Sequence, residues 1–225
     1  MRLLIMRLEG PLQSWGERSK WDNRDSALMP TKSGVIGILA CCMGILRDDA
    51  RLTQLHRKLT VAVRADMPGV LGTDYQTVSS EKLLTADGKE QVKTIISPRQ
   101  YLEDASFLVV LASEDGDLLD KIASSLRHPV WAAYLGRKCC VPTRPLIATD
   151  TDEYDSIETA LDTVPLAERA DPEVVNFRAE IEDPQGEYVR NDCLCTTERR
   201  FTTRRVRYYT VGRKNENAVP LTTEA

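Results

Sequence analysis

The chain has 225 residues, of which 42% are hydrophobic and 28% are charged, and its formal net charge at pH 7 is -4. This composition is that of an ordinary globular protein, so it excludes a disordered or fibrous chain. No stretch reaches the apolar length that crosses a bilayer, and Met1 leads into a strand pattern without the basic and small-residue features of a signal peptide. We therefore expect a cytoplasmic protein without a membrane partner.

Hydrophobic periodicity and turn residues predict alternating strands and helices over the first two thirds of the chain. In chain order they are a strand at 3–8, a helix at 31–46, a helix at 52–59, a strand at 59–64, a strand at 101–111, a helix at 117–127 and a last strand near 145–148 or later. This order predicts an α+β fold on the ferredoxin-like plan, which many RNA-binding domains share.

Residues 67–97 interrupt that order. The segment is polar, with turn signals at Pro68-Gly69 and Asp87-Gly88, and β-prone residues lie on both sides of the second turn. Such a pattern predicts a hairpin that projects from the core. It is also long for an ordinary connection, since loops beyond about 12–15 residues are usually functional or disordered.

Charge is very uneven along the chain. Residues 150–187 hold thirteen acids and two arginines, whereas residues 188–214 hold eight bases and two acids. We therefore predict two regions: a ferredoxin-like domain at 1–149, which includes the hairpin, and a smaller β-rich extension at 150–225 with an acidic segment and an arginine-rich strand. The uneven charge permits a basic face, so the negative net charge does not exclude a polyanion partner.

The cysteines and histidines argue against metal sites and acid–base catalysis. Six cysteines fall as Cys41-Cys42, Cys139-Cys140 and Cys193-x-Cys195, a spacing that suits neither a zinc site nor a disulfide framework, so we expect small buried hydrophobic residues. The two histidines, His56 and His128, fit surface or helix-capping positions. No cofactor is predicted.

Three loops combine glycine or proline with side chains that contact nucleic acids. In "RLEGPLQSWG" (7–16), Trp15 is more than a turn requires; its indole either seals the core edge or offers a flat surface, beside Gln13. In "PTKSGVIGIL" (30–39), Thr31, Lys32 and Ser33 begin a helix whose N-terminus favours an anion; the alternative is that Thr31 or Ser33 serves only as the helix cap.

The third loop, "YLGRKCCVPTRPL" (134–146), presents Arg137, Lys138 and Arg144 from a proline-stiffened backbone, or leaves them as solvated surface charges. Farther on, "ERRFTTRRVRYY" (198–209) interleaves five arginines with aromatic residues. Arginine suits phosphate and aromatic faces suit unstacked bases, so this segment predicts RNA contact; the alternative is an edge strand guarded by charge.

Taken together with "DYQTV" (74–78) and "PRQYLEDASFLVVL" (98–111), the three loops resemble the Cas-five group of RAMP proteins found in the type I-E CRISPR surveillance complex, Cascade. The resemblance covers nearly the whole chain and is weaker over 150–225. It implies a ferredoxin-like RAMP core with a protruding hairpin thumb that grips the 5′ handle of the CRISPR RNA. The implied protein partners are the CasC backbone subunits and the CasA large subunit, and target DNA is reached through the assembled complex.

The resemblance implies a structural clamp, because in this subtype a different subunit cuts the precursor RNA. The alternative is a metal-independent endoribonuclease that uses Tyr75, a lysine and His56 or His128. The motifs and the resemblance predict RNA contacts at Gln13, Trp15, Thr31, Lys32, Ser33, Tyr75, Thr77, Arg99, Tyr101, Arg137, Lys138, Arg199 and Arg204.

Overall fold

The computed structural model describes residues 1–17, 24–80, 83–84, 88–91, 94–149, 154–194 and 200–213. Within them the helices are α1 (Lys32–Met43), α2 (Ala50–Lys58), α3 (Gly116–Arg127) and α4 (Ile157–Thr163). The strands are β1 (Arg2–Gln13), β2 (Thr60–Met67), β3 (Val70–Val78), β4 (Leu83–Leu84), β5 (Glu90–Gln91), β6 (Ile95–Ser113), β7 (Ile147–Thr149), β8 (Asn176–Glu182), β9 (Tyr188–Leu194) and β10 (Arg200–Gly212). No helix in the described ranges has the length and apolar content to cross a membrane.

One antiparallel sheet organises the molecule. Its strand order is β7-β1-β6-β2-β8-β10-β9, so the sheet runs without interruption across the boundary predicted at 149/150. The link is the pairing of β2 with β8, which joins Ala62 to Ile181 and Arg64 to Ala179. The acidic and arginine-rich region therefore extends the sheet of the first region.

Helices cover both faces of this sheet. Side chains alternate along each strand, so each strand sends apolar residues to both faces. Leu4, Met6 and Leu8 of β1 point into a core formed with α1, α2 and α3. Leu3 and Ile5 point to the opposite face, into a second core that contains α4 and Phe177. The result is a three-layer, mixed α/β fold that is rich in sheet.

A buried ionic cluster attaches the α4 segment to the sheet. Asp66 on β2 accepts hydrogen bonds from Arg7 and from Arg64, both at 2.6 Å, and from the Ala167 amide at 2.9 Å. Arg7 also donates to the Pro165 carbonyl at 2.7 Å. Buried arginines therefore hold this part of the acidic segment, around Pro165 and Ala167, against the sheet.

The hairpin expected at 67–97 has longer arms than the sequence indicated. β3 pairs with the first half of β6, from Val70 opposite Glu103 to Val78 opposite Ile95, and β4 and β5 pair with each other beyond it. The second half of β6 is the central strand between β1 and β2. One 19-residue strand thus belongs to both the core and the hairpin.

The cysteines are free thiols where they are described. Cys42 and Cys140 are buried, as expected, and burial raises the pKa of each thiol to about 11. Cys139, in contrast, is exposed, because the turn that carries it lies on the surface. Cys193 has no described side chain, and Cys195 lies outside the described residues.

Candidate nucleic-acid interface

The three loops singled out in the sequence meet at one cavity of about 370 Å³. The first contributes Ser14, Trp15 and Gly16; the second contributes Thr31, Ser33, Gly34, Gly37 and Ile38; the third contributes Tyr134 and Gly136. The remaining wall is formed by Ala40, Cys41, Ile45, Leu46, Arg47, Leu52 and Trp131. None of these described lining residues is acidic.

Trp15 and Gln13 support the cavity from behind. Gln13 is fully buried; its amide donates to the carbonyls of Leu8 and Ala105 at 3.1 and 2.8 Å and accepts from the Trp15 indole at 3.2 Å. Trp15 is only 1% exposed, and its ring packs so closely on α1 that a Cβ at Gly34 would lie 2.8 Å from it. Of the two interpretations of Trp15, the structure supports the first: the indole seals the edge of the core. Neither Trp15 nor Gln13 presents a free face.

The start of α1 binds an anion, but that anion is the chain's own carboxylate. Thr31 caps the helix by accepting from the Gly34 amide at 3.1 Å, and the Ser33 amide donates to Asp192 of β9 at 3.1 Å. Lys32 is buried and donates to both carboxylate oxygens of Glu182, at 2.7 and 2.8 Å. The expectation that Lys32 faces RNA therefore disagrees with this geometry, because burial and the ion pair leave it no outward position.

The loop after Trp131 is held against the first loop by a glycine. Gly136 has φ +89, and a Cβ there would lie 1.7 Å from the Ser14 carbonyl oxygen, so only glycine fits. The Ser14 amide in turn donates to the Leu135 carbonyl at 3.0 Å. This contact places Tyr134 in the cavity wall.

Arg137 fixes the root of the hairpin. It donates to the carbonyls of Gln100 and Arg24, at 3.0 and 2.9 Å, and its guanidinium lies 4.5 Å from the centre of the Tyr101 ring. Tyr101 is itself buried. Both residues were predicted to contact RNA; the structure shows that both hold β6 against the neighbouring loops.

Two exposed cations, Arg47 and Lys138, lie at or near the cavity. Arg47 is an exposed residue of the lining. Lys138 is exposed and lies close enough to Cys41 in the wall for its charge to lower the pKa of that thiol, against the larger rise that burial causes. Trp131 is 44% exposed and Tyr134 is partly exposed. The sequence analysis did not select Arg47 or Trp131, although a tryptophan just before the third loop is a signal that could have found it.

The predicted hairpin residues lie on two opposite faces. Tyr75 and Thr77 are exposed on β3 and share a face with Ile96, the residue opposite Thr77. Arg99 and Tyr101 belong to the other face, because they alternate with Ile96 along β6. The four side chains therefore do not share one face on which a ligand could contact them all.

Two arginines of the arginine-rich strand, Arg204 and Arg207, are neutralised by acids of the fold. Arg204, whose side chain is 12% exposed, lies 2.6 Å from Asp192, and Arg207 pairs with Glu158 and, at 3.2 Å, with Asp183. Arg190 pairs with Glu180. The geometry thus disfavours direct phosphate contact by Arg204. Arg199 lies outside the described residues.

A second cavity, of about 510 Å³, lies at the hairpin root, and Thr31 lines both cavities. Its arginines Arg178, Arg190 and Arg204 are each paired with an acid. Tyr208 in its wall is covered by Tyr188, at 4.1 Å between ring centres, and by the Arg178 guanidinium at 4.2 Å. With its arginines neutralised, this cavity suits RNA less well than the first.

His56 is half-buried beside a cluster of charged residues, so it is less exposed than expected, whereas His128 does end α3 as an exposed cap residue. Burial and the positive charge of Lys32 lower the pKa of His56, while Asp192 and Glu182 act in the opposite direction and Arg204 adds to the lowering. Its Nε2 atom is buried and has no hydrogen-bond partner among the described residues. With its pKa lowered and its Nε2 atom buried, this imidazole is poorly placed for catalysis.

The fold and these loops define a family. The model of the family described as "CRISPR-associated protein (Cas_Cas5)" matches residues 3–207, and the chain belongs to that family. It is 33% identical to the CRISPR system Cascade subunit CasD of Escherichia coli (strain K12) over 174 residues, 72% of this chain and 77% of that protein. The resemblance inferred from the motifs is confirmed.

Solved structures agree with this assignment. A chain of a "CRISPR RNA-guided surveillance complex" superposes with a TM-score of 0.79 at 31% identity, covering 93% of this chain and 90% of that one. A "Crystal structure of Cas protein" gives a TM-score of 0.69 at 32% identity, with 93% and 95% covered.

Proposed function

We propose that this protein is a non-catalytic RNA-binding subunit of a type I-E Cascade complex, holding the 5′ handle of the CRISPR RNA and joining the CasC backbone to the CasA large subunit. The observation that carries the proposal is the convergence of the three family-like loops on one acid-free cavity. Membership of the Cas5 family and the likeness to a Cascade subunit support the identity of the RNA and the partners.

The cavity suits one end of a single strand. Trp131 and Tyr134 offer aromatic surface for a base, and the hydroxyls of Thr31 and Ser33 lie in the same wall. Arg47 and Lys138 are exposed where phosphates would pass. Aromatic stacking and cationic rims are the recurring means of binding single-stranded RNA. Gln13, Trp15, Lys32, Tyr101, Arg137 and Arg204 then act by positioning these elements.

We further propose that the first region is a ferredoxin-like unit. Strands β7, β1, β6 and β2 are adjacent in that order and antiparallel, and α1, α2 and α3 connect and cover them. This is the arrangement expected when two βαβ halves are interleaved. The hairpin of β3 and β6 is an elongation of that unit.

The binding proposal is tested by salt titration of RNA affinity with the purified chain and an RNA that carries the handle. Log K should fall with log salt by about 0.7 per phosphate contact. Lys138→Ala and Arg47→Ala should each shallow that slope by about one contact, and Trp131→Ala should cost about 1–3 kcal/mol at every salt concentration.

The control is Lys121→Ala, which removes an exposed cation on α3 outside the cavity lining and should leave the slope unchanged. A flat titration for the wild-type chain would remove the proposal.

The absence of catalysis is tested separately. The purified chain in EDTA should not cut a CRISPR repeat RNA, and His56→Ala or His128→Ala should leave RNA processing by the assembled complex unchanged. A large loss of cutting in either variant, with the fold intact by circular dichroism, would favour the endoribonuclease alternative.

A further inference from the structure

We infer that the outer edge of β3 is a docking site for an extended segment of another subunit, which adds a strand to the hairpin. This rests on the proposed place of the chain in a multi-subunit assembly. Among the described residues, β3 pairs with β6 alone, so its other edge presents unpaired backbone donors and acceptors. Such an edge is a template for strand addition.

The edge carries little that would prevent pairing. Seven of the nine residues of β3 are exposed. Natural edge strands are usually guarded by lysine, proline or several charges, but the sequence VLGTDYQTV contains one charged residue, Asp74, and neither lysine nor proline. Its exposed side chains include Val70 at 68% and Tyr75 at 65%, which is an unusual amount of apolar surface to leave in water.

On its other side, along β6, the described part of the hairpin also lacks a third strand. β1 pairs with β6 only as far as Leu102, and beyond it the described pairing on that side of β6 is an isolated bridge from Arg24 to Arg99. A two-stranded ribbon is marginally stable in water by itself. An added strand would satisfy the β3 backbone and place its own side chains beside the exposed Leu71 and Tyr75.

A second copy of this chain fits the edge poorly. Asp74 is the central residue of β3, so two antiparallel β3 strands related by a twofold axis at their centre would place Asp74 directly opposite its copy. Like charges in opposed positions destabilise a sheet. The favoured occupant is therefore a different chain, with apolar, β-prone residues at alternate positions and an uncharged or basic residue opposite Asp74.

Hydrogen exchange tests this inference on the free subunit, the subunit with handle RNA and the reconstituted complex. In the free subunit, alternate β3 amides should exchange fast, because they point away from β6. In the complex these same amides should slow by roughly tenfold or more, in an alternating pattern. RNA alone should not produce the pattern, since it covers side chains without pairing with the backbone.

A proline variant provides the functional test. The fast-exchanging member of the pair Thr73 and Asp74 is replaced by proline, which removes an outward amide that the fold does not use. The free subunit should keep its unfolding midpoint, whereas recovery of the complex should fall; alanine at the same position keeps the amide and should assemble normally. If the proline variant does not fold, the exchange pattern of the wild-type chain decides.

The inference is overturned if the β3 amides exchange alike in the free subunit and the complex, or if RNA alone protects them. Protection that rises with the concentration of the free chain would instead identify a second copy as the occupant. The Lys138→Ala salt titration reports on RNA binding independently, so failure of strand addition and failure of RNA binding are distinguishable.

Discussion

The Ser33 amide and the Asp192 carboxylate, 3.1 Å apart, connect the cavity wall to the arginine-rich hairpin of β9 and β10. Ser33 lines the cavity and lies at the start of α1, whose partial positive charge attracts the carboxylate. Asp192 is buried and also lies 2.6 Å from Arg204. The geometry of the candidate RNA site therefore depends on residues 159 positions farther along the chain.

Removal of the Asp192 carboxylate should destabilise the protein. Asp192→Ala leaves Arg204 without its partner and the Ser33 amide without an acceptor, so we expect a loss of about 3–5 kcal/mol in the free energy of unfolding. Urea denaturation measures it. The double variant with Arg204→Ala should lose less than the sum of the two single variants; additive losses would show that the two residues do not interact.

Gly136 should tolerate no side chain. Gly136→Ala places a Cβ 1.7 Å from the Ser14 carbonyl oxygen, so the loop must move. Gly88 is the matched control, since its φ of +79 is similar but no atom of the described residues lies within 4 Å of its Cβ position. We expect Gly88→Ala to cost about 1–2 kcal/mol from the backbone alone, and Gly136→Ala to cost more and to weaken RNA binding. Equal losses in urea denaturation would contradict the close approach.

Stability should fall as the solution is acidified through pH 6. The pKa of His56 is lowered in the folded state, so the unfolded chain takes up the proton first once the pH drops below about 6.5. The stability that neutral His56 provides is complete above that pH and is lost as the pH falls toward the folded pKa. His56→Gln should flatten the change in urea midpoint between pH 7.5 and 5.5. His128→Gln, at the exposed end of α3, is the control and should retain the wild-type slope.

The tip of the hairpin should be dispensable for folding but not for assembly. Val78 pairs with Ile95, so residues 79–94 can be replaced by an Asn-Gly turn without a change of register. We expect the shortened chain to keep its unfolding midpoint, because the described residues of the tip belong to neither main core, and to weaken assembly or target binding. Size-exclusion chromatography of the reconstituted complex measures assembly. Wild-type assembly by this variant would remove the tip from the proposed function.

The sequence was most informative where local rules decide the structure. Thr31 as a helix cap and the last strand near 145–148 follow from capping chemistry and short apolar runs, and both are present. The cavity was only partly foreseen. The importance of Arg47 and Trp131 arises from the approach of two loops to α1, and no local pattern encodes that approach.

Charge counting was the least reliable guide, because it does not say which charges meet. Acids of the acidic segment neutralise bases far away in the sequence. Glu158 pairs with Arg207 of the basic strand, and Glu182 pairs with Lys32 of α1. Likewise His56 lies on an amphipathic helix and so was assigned to the surface, whereas β8, β9 and β10 bring charged partners over it. These pairings depend on tertiary contacts that the sequence pattern does not reveal.

The pairing of β2 with β8 has a consequence for biosynthesis. β2 ends at Met67 and its partner begins at Asn176, so one edge of the central sheet waits for on the order of a hundred further residues to leave the ribosome. At bacterial or eukaryotic elongation rates that interval is about 5–20 s. Throughout it, β2 exposes the backbone and the Ala62 face that β8 and α4 later cover. The yield of this subunit in cells therefore depends on what shields that edge during translation.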